Sequence, residues 1–286
     1  MAAGSTQACE SFLLTESHIF NGKTIWITGA SSGIGEALAL ALASGGARLV
    51  LSSRDLTELG RVAVKCHERS IGSEPLIEAF DMAGHDTFPC IVERVLDRTG
   101  GIDILVNNAG VGQRATALSC KPDVVRRIFD VNFFGPVFLT QEILPSMIGR
   151  GSGRVVVVSS VLGKFHLPGR SAYGASKHAL RGYFDTLRTE LHESGVGVTI
   201  AYPGWISTNI SRNALTAGGT AYTKTTRAGS RKMSAEECAR RILNAIATGR
   251  NETTMGGIEI WGRLVHLLFP QLYEKIIRNT TKEFIQ

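Results

Sequence analysis

The chain has 286 residues, 43% of them hydrophobic and 20% charged, and its 32 glycines follow no period. This excludes a disordered or fibrous chain and fits a single α/β domain. The formal charge of +6 suits nucleic acid, anionic lipid or a phosphorylated ligand equally well and selects none of them.

Residues 1–22 read as a polar leader without the apolar core of a secretory signal. From residue 23 onward, short apolar runs at 24–28, 47–52, 76–81, 102–107, 154–159 and 196–202 alternate with stretches of helical period. Near-continuous Val/Ile/Leu runs separated by helix-length segments predict β-α-β units around a buried parallel sheet. Right-handed crossovers then put helices on both faces, giving a single doubly wound Rossmann-type domain with roughly seven strands.

The first run ends in Thr28-Gly29-Ala30-Ser31-Ser32-Gly33-Ile34-Gly35 and passes directly into a helix over 36–43. Glycines at a strand-to-helix turn let the backbone approach a pyrophosphate, and the helix start offers free N–H groups. The spacing is T-G-x-x-x-G-x-G rather than G-x-G-x-x-G, and alone it could be only a tight turn. The second run ends in Ser52-Ser53-Arg54. An acid at Ser53 would accept from a ribose 2′-OH and select NAD(H). Arg54 offers a charge-assisted partner for a 2′-phosphate instead, so NADP(H) is the expected coenzyme ahead of NAD(H).

Two long amphipathic helices follow, over 122–149 and 172–193, with more apolar surface than one sheet face requires. The surplus predicts a subunit interface in a homodimer or homotetramer. Between them, Ser160 ends a strand. The second helix opens with Tyr173-Gly174-Ala175-Ser176-Lys177, which sets Tyr173 and Lys177 on one helix face. On its own, Tyr-x-x-x-Lys is common on surface helices. Joined to a hydroxyl at a strand end it is an acid/base pair, because an ammonium favours a phenolate whose free pKa is about 10.

Taken in order, 28–35, Asp81, Asn107-Asn108-Ala109-Gly110, Asn132, Ser160, Tyr173/Lys177 and Pro203-Gly204 with Thr208 resemble the short-chain dehydrogenase/reductase family over roughly 23–257. Within it, Phe134-Gly135-Pro136 and Ala175-Ser176-Lys177-His178 are similar to the dehydrogenase/reductase member 7 and 7B subgroup. The resemblance implies that Gly29, Ser31, Ser32, Gly33, Ile34 and Gly35 line a pyrophosphate. It implies Asp81 at the adenine amine, and Asn108, Ala109 and Gly110 at the adenosine ribose. Asn132 would anchor a relay water, Ser160 would orient a carbonyl, and Tyr173 would move its proton. Lys177 would also grip the nicotinamide ribose, and Pro203, Gly204, Ile206 and Thr208 would hold the nicotinamide. The subgroup implies a lipophilic carbonyl or alcohol substrate such as a steroid, retinoid or lipid. One departure is Ser32, where many NADP(H) members carry Lys or Arg.

Gln113, the 164–170 loop and the 205–233 segment are expected to bound the substrate, with Leu162, Phe165, Leu167 and Trp205 as apolar walls. Arg212, Lys224, Arg227, Arg231 and Lys232 make the last of these basic, and 211–232 has no acid; a connection this long is commonly functional. The apolar stripe at 258–277 is interrupted by Pro270 and flanked by Arg263, Lys275, Arg278 and Lys282. It either packs on the protein or a partner subunit, or lies on an anionic membrane surface. The organisation expected is therefore leader 1–22, catalytic domain 23–257 and extension 258–286.

The cysteines (Cys9, Cys66, Cys90, Cys120, Cys238) are dispersed, unlike a disulfide framework or a zinc site. No metal is expected, and the compartment is read as intracellular, either cytoplasmic or peripheral on an internal membrane. No aromatic-interleaved basic surface or recognition motif supports nucleic-acid binding. The alternative function is a silent dinucleotide-binding sensor or scaffold.

Overall fold

β1 (Thr24–Thr28) reads Thr-Ile-Trp-Ile-Thr and is buried along its whole length, so it must lie inside a sheet covered on both faces. The computed structural model describes residues 18–70, 74–208, 210, 213–222 and 232–280. Among these, β1 pairs with β2 (Arg48–Ser52), and β2 with β3 (Leu76–Ile77). On its other side β1 pairs with β4 (Ile104–Asn107). β5 (Gln113–Arg114) stands apart from that sheet. β6 (Gly153–Val158), β7 (Val196–Pro203), β8 (Leu215–Thr216) and β9 (Glu252–Met255) complete the strands. The main sheet has seven parallel strands in the order β3-β2-β1-β4-β6-β7-β9, and β5 pairs with β8 separately.

Sheet and helices alternate along the chain. The first three helices are α1 (Gly33–Ser44), α2 (Leu56–Arg69) and α3 (Phe88–Thr99). Then come α4 (Pro122–Phe129), α5 (Gly135–Gly149), α6 (Ser171–Glu190) and α7 (Ala235–Ala247). Two cores result from the period-2 alternation of the strands. Ile25, Ile27 and Val106 pack with Leu38 and Leu42 of α1, Leu59 and Val62 of α2, and Ile242 of α7. Trp26 and Leu105 point the other way, against Val92 of α3, Leu139 and Ile143 of α5, and Phe184 of α6. Trp26 is a packing residue whose indole N–H donates to the Ser52 hydroxyl at 2.8 Å.

Three features depart from the sequence expectation. The strand expected over 76–81 is regular only at Leu76–Ile77. It then continues irregularly along β2, with Glu78 N–H on Leu51 O and Phe80 N–H on Ser53 O, and delivers Asp81 to the strand ends. The helix expected over 122–149 is divided by a π turn at Asp130–Phe134, and Asn132 sits inside it. Such one-turn π insertions recur at functional sites. The seventh strand, Glu-Thr-Thr-Met, was not among the apolar runs because it is the sheet edge, with only Met255 buried.

After β9 the chain forms a short turn (Ile258–Trp261), α8 (Gly262–Leu268) and α9 (Pro270–Thr280). Two short helices meet at Pro270, as its missing N–H requires. No helix among the described residues is long and apolar enough to cross a membrane. Cys9, Arg212, Lys224, Arg227, Arg231, Lys282 and nearly all of the leader lie outside the described residues.

Candidate active site

Brought together at the carboxyl ends of β1, β2, β4, β6 and β7 is a cleft of about 840 Å³. That is where an open parallel sheet binds ligands, and the volume is in the range of cofactor sites. Among the sequence-derived site residues, Gly29, Ser31, Ser32, Gly33, Ile34, Arg54, Asp81, Asn108, Ala109, Gly110, Ser160, Tyr173, Lys177, Pro203, Gly204, Ile206 and Thr208 all line it. Gly35 and Asn132 stand behind the wall.

One end of the cleft is the glycine turn. Gly29 and Gly33 have φ of +65° and +59°, the left-handed region that side chains disfavour. A Cβ at Gly35 would come within 2.1 Å of Gly29 O, so the turn closes on itself only with glycine there. The Ser32 hydroxyl makes no cap on α1, which leaves the first-turn N–H groups of Gly33 and Ile34 to the cleft. That is a fit for a phosphate-bearing dinucleotide. Asn108 braces the turn: its amide donates to Thr28 O at 3.0 Å and Gly29 O at 3.1 Å. Thr208 lies against Gly33, its methyl 3.0 Å from where a Cβ would stand.

Asp81 and Arg54 mark the next stretch of wall. Burial pushes the Asp81 carboxyl up, but the Ala83 N–H and the Arg127 and Arg54 guanidiniums prevail and hold it below the usual carboxylate range. Arg127 donates to it at 2.6 Å, while Arg54 stands 3.9 Å away with its side chain 62% exposed. Arg54 thus lines the cleft with its side chain largely exposed.

At the opposite end Ser160, Tyr173 and Lys177 meet. Ser160 caps the turn at Val161–Gly163, its hydroxyl accepting from Leu162 N–H at 3.2 Å. Its hydroxyl also donates to Pro203 O at 3.5 Å. Ser159, its neighbour, instead donates to Lys177 O. Tyr173 is buried, and burial pushes its phenol above the ordinary value, against opposing effects of Ser160 and Arg170. Lys177 is the ammonium beside this phenol. The ammonium lies 5.9 Å from the ring centroid, donates to Val158 O at 3.0 Å, and is itself lowered by burial to about 8. Asn132 is fully buried. Its amide exchanges two hydrogen bonds with the Val111 backbone and donates to the Ser176 hydroxyl. Gly110 lies between Asn132 and Lys177, since a Cβ there would be 3.3 Å from Asn132 Oδ1 and 3.6 Å from Lys177 Nζ.

The substrate side is partly as expected. Leu162 and Trp205 line the cleft with Ile210 and Leu215. Phe165 and Leu167 do not; they belong to a separate cluster around Tyr273, because the 164–170 loop turns toward the C-terminal helices. Gln113 is a brace, buried, with its carbonyl oxygen accepting from Tyr173 N–H at 3.1 Å. Other contributors carried no sequence signal. Arg61 ties Glu36 and Glu58 to the glycine turn through Ser31 O at 3.2 Å. Arg170 lines the cleft beside Tyr173, lowered to about 10 by burial and by Arg114.

The family model for short chain dehydrogenase matches residues 23–218. The chain is 37% identical to dehydrogenase/reductase SDR family member 7B of Danio rerio, over 91% of this chain and 86% of that protein. It is 44% identical to the SDR family protein 7-like of Anopheles gambiae, over 83% and 76%. Among solved structures, a metagenomic short-chain oxidoreductase in complex with NADP matches with TM-score 0.69 at 29% identity, over 83% of this chain and 97% of that one. A short chain dehydrogenase/reductase from Burkholderia phymatum in complex with NAD matches with TM-score 0.76 at 26% identity, over 90% and 96%. The cleft at the strand ends and these likenesses agree: the chain belongs to the short-chain dehydrogenase/reductase family, oxidoreductases built on a nucleotide-binding Rossmann fold.

Proposed function

We propose that this chain is an NADP(H)-dependent oxidoreductase acting on a lipophilic carbonyl/alcohol pair, with Tyr173 as its acid/base. The observation that carries the reading is the meeting of Ser160, Tyr173 and Lys177 at one end of a cleft whose other end is the glycine turn. When bound, the nicotinamide supplies or accepts the hydride. The chain's own residues manage the proton and the charge. Burial keeps the Tyr173 phenol protonated at neutral pH, so it can donate to a carbonyl oxygen as negative charge develops there. The Ser160 hydroxyl orients the same oxygen, and Lys177 favours the phenolate left behind. Asn132, buried beside Gly110 and Lys177, anchors a water for proton return.

The cofactor is held by Gly29, Ser31, Ser32, Gly33, Ile34 and Gly35 at the pyrophosphate, and by Asp81 at the adenine. Asn108, Ala109 and Gly110 take the adenosine ribose. Lys177 takes the nicotinamide ribose, and Pro203, Gly204, Ile206 and Thr208 hold the nicotinamide. Arg54, exposed and following Ser53, supports NADP(H) over NAD(H) through the 2′-phosphate. Leu162, Trp205 and Ile210 support an apolar substrate such as a steroid, retinoid or lipid.

The catalytic unit is residues 23–257, with the extension after it. In the extension Trp261, Leu267, Leu268 and Phe269 are more than half exposed, beside Arg263, Lys275 and Arg278. That combination supports peripheral contact with an internal membrane. Phe134 and Phe138 stack on each other at 5.7 Å and are over a third exposed. They support a homodimer or homotetramer through this face. The test is a panel of lipophilic aldehydes and ketones with NADPH or NADH. The reading predicts carbonyl-dependent oxidation, faster with NADPH. Cofactor binding without turnover across the panel would favour the silent sensor instead.

A further inference from the structure

The Gly204–Trp205 peptide lines the cleft, yet its fixed point lies outside it. Beyond β9 the chain passes Gly256 and Gly257 and presents Glu259 to the back of this peptide. Glu259 Oε1 accepts from Trp205 N–H at 2.7 Å and from Gly257 N–H at 3.0 Å. Carboxylate acceptors make the stronger class of hydrogen bond. Space around the carboxylate is confined by two glycines. A Cβ at Gly204 would stand 2.2 Å from Glu259 Oε1, and one at Gly256 would stand 2.5 Å from it. From the same turn, Gly204 N–H donates to Met255 O at 2.7 Å. In a planar trans peptide the carbonyl points opposite to the N–H. Committing Trp205 N–H to Glu259 therefore turns the Gly204 carbonyl away from Glu259.

A second hold acts on the loop after Ser160. Tyr273 of α9 packs with Val161, Leu162 and Phe165, and its hydroxyl donates to His166 O. Glu274 bonds the His166 ring at 3.0 Å, and Gly262 lies flush on the Phe165 ring. The segment that carries the exposed apolar strip is thus fastened to both loops that frame the cleft.

We infer that residues 256–280 brace the cofactor end of the cleft, with Glu259 as a positioning residue that fixes the Gly204–Trp205 peptide through its backbone N–H. The inference rests on the cleft being the nicotinamide site. Glu259 itself does not line the cleft, so it acts only through the turn.

Full-length wild type is compared with Glu259→Ala, Glu259→Asp and Glu259→Gln by NADPH titration and by hydrogen exchange at the Trp205 amide without cofactor. Losing one hydrogen bond to a charged acceptor corresponds to roughly tenfold or more. Glu259→Ala should weaken NADPH binding by about tenfold and speed Trp205 amide exchange by a similar factor. Glu259→Asp, whose reach is shorter by one methylene, should do the same even if the alanine variant fails to fold. Glu259→Gln keeps a carbonyl acceptor and should stay within about threefold of wild type. Wild-type affinity in the Ala and Asp variants would overturn the inference. So would a ranking by charge, with Gln as poor as Ala and Asp intact. If no carbonyl is reduced but Trp205 exchange still depends on Glu259, the reductase reading fails and the brace stands.

Discussion

Lys177 has little room to keep its charge: it is buried, and its ammonium is lowered to about 8 from 10.5. The unfolded chain therefore binds the extra proton between about pH 8 and pH 10.5, so this group makes folding more favourable as pH rises through that window. Its charge, which the roles proposed for it at the ribose and the phenolate require, is lost as pH rises through about 8. NADPH affinity should accordingly fall as pH rises through 8, and Lys177→Met should flatten that step; titrations from pH 6.5 to 9.5 read it. Arg54 acts at the other end. Arg54→Ala should weaken NADPH binding by about 1.5–3 kcal/mol and leave NADH binding nearly unchanged, and equal losses in paired titrations would contradict its assignment. The place of both residues in the cleft was legible in sequence because it follows from local spacing and a strand end. Asp81–Arg127 and Trp205–Glu259 were not: they lie 46 and 54 residues apart, and only the folded chain makes them neighbours.

At the scale of elements, the buried strands were legible because a strand covered on both faces must be apolar throughout. β9 was not, since an edge strand exposes alternate side chains. The long helix over 122–149 was legible as a periodic stretch, but the π turn that buries Asn132 has no compositional mark. The C-terminal stripe gave the right break at Pro270 and part of its packing on the protein. Tyr273 is buried on the protein, while Leu267, Leu268 and Phe269 stay exposed. This exposed patch is the part of the segment proposed for membrane contact. Full-length protein should float with anionic vesicles at low salt, and Leu267→Glu with Leu268→Glu should return it to the soluble fraction without altering turnover of a water-soluble carbonyl. Wild type remaining wholly soluble would contradict membrane contact.

Across the whole molecule, the topology explains why residues scattered from Gly29 to Thr208 line one cleft. Every strand of the sheet is parallel, so each loop after a strand emerges at the same edge, and the motif order along the chain becomes a path across the sheet. That made the fold and most of the cleft readable from strand-end motifs alone, while of the expected apolar walls Leu162 and Trp205 line the cleft and Phe165 and Leu167 do not. The 164–170 loop turns to the C-terminal helices and removes Phe165 and Leu167 from the cleft, an outcome of long-range packing. Proton transfer by Tyr173 is tested by carbonyl-dependent NADPH oxidation by wild type and Tyr173→Phe at equal cofactor saturation. Tyr173→Phe should lose about 10²–10⁴-fold in turnover with NADPH affinity nearly intact; turnover within a few-fold of wild type would contradict the acid/base role of Tyr173.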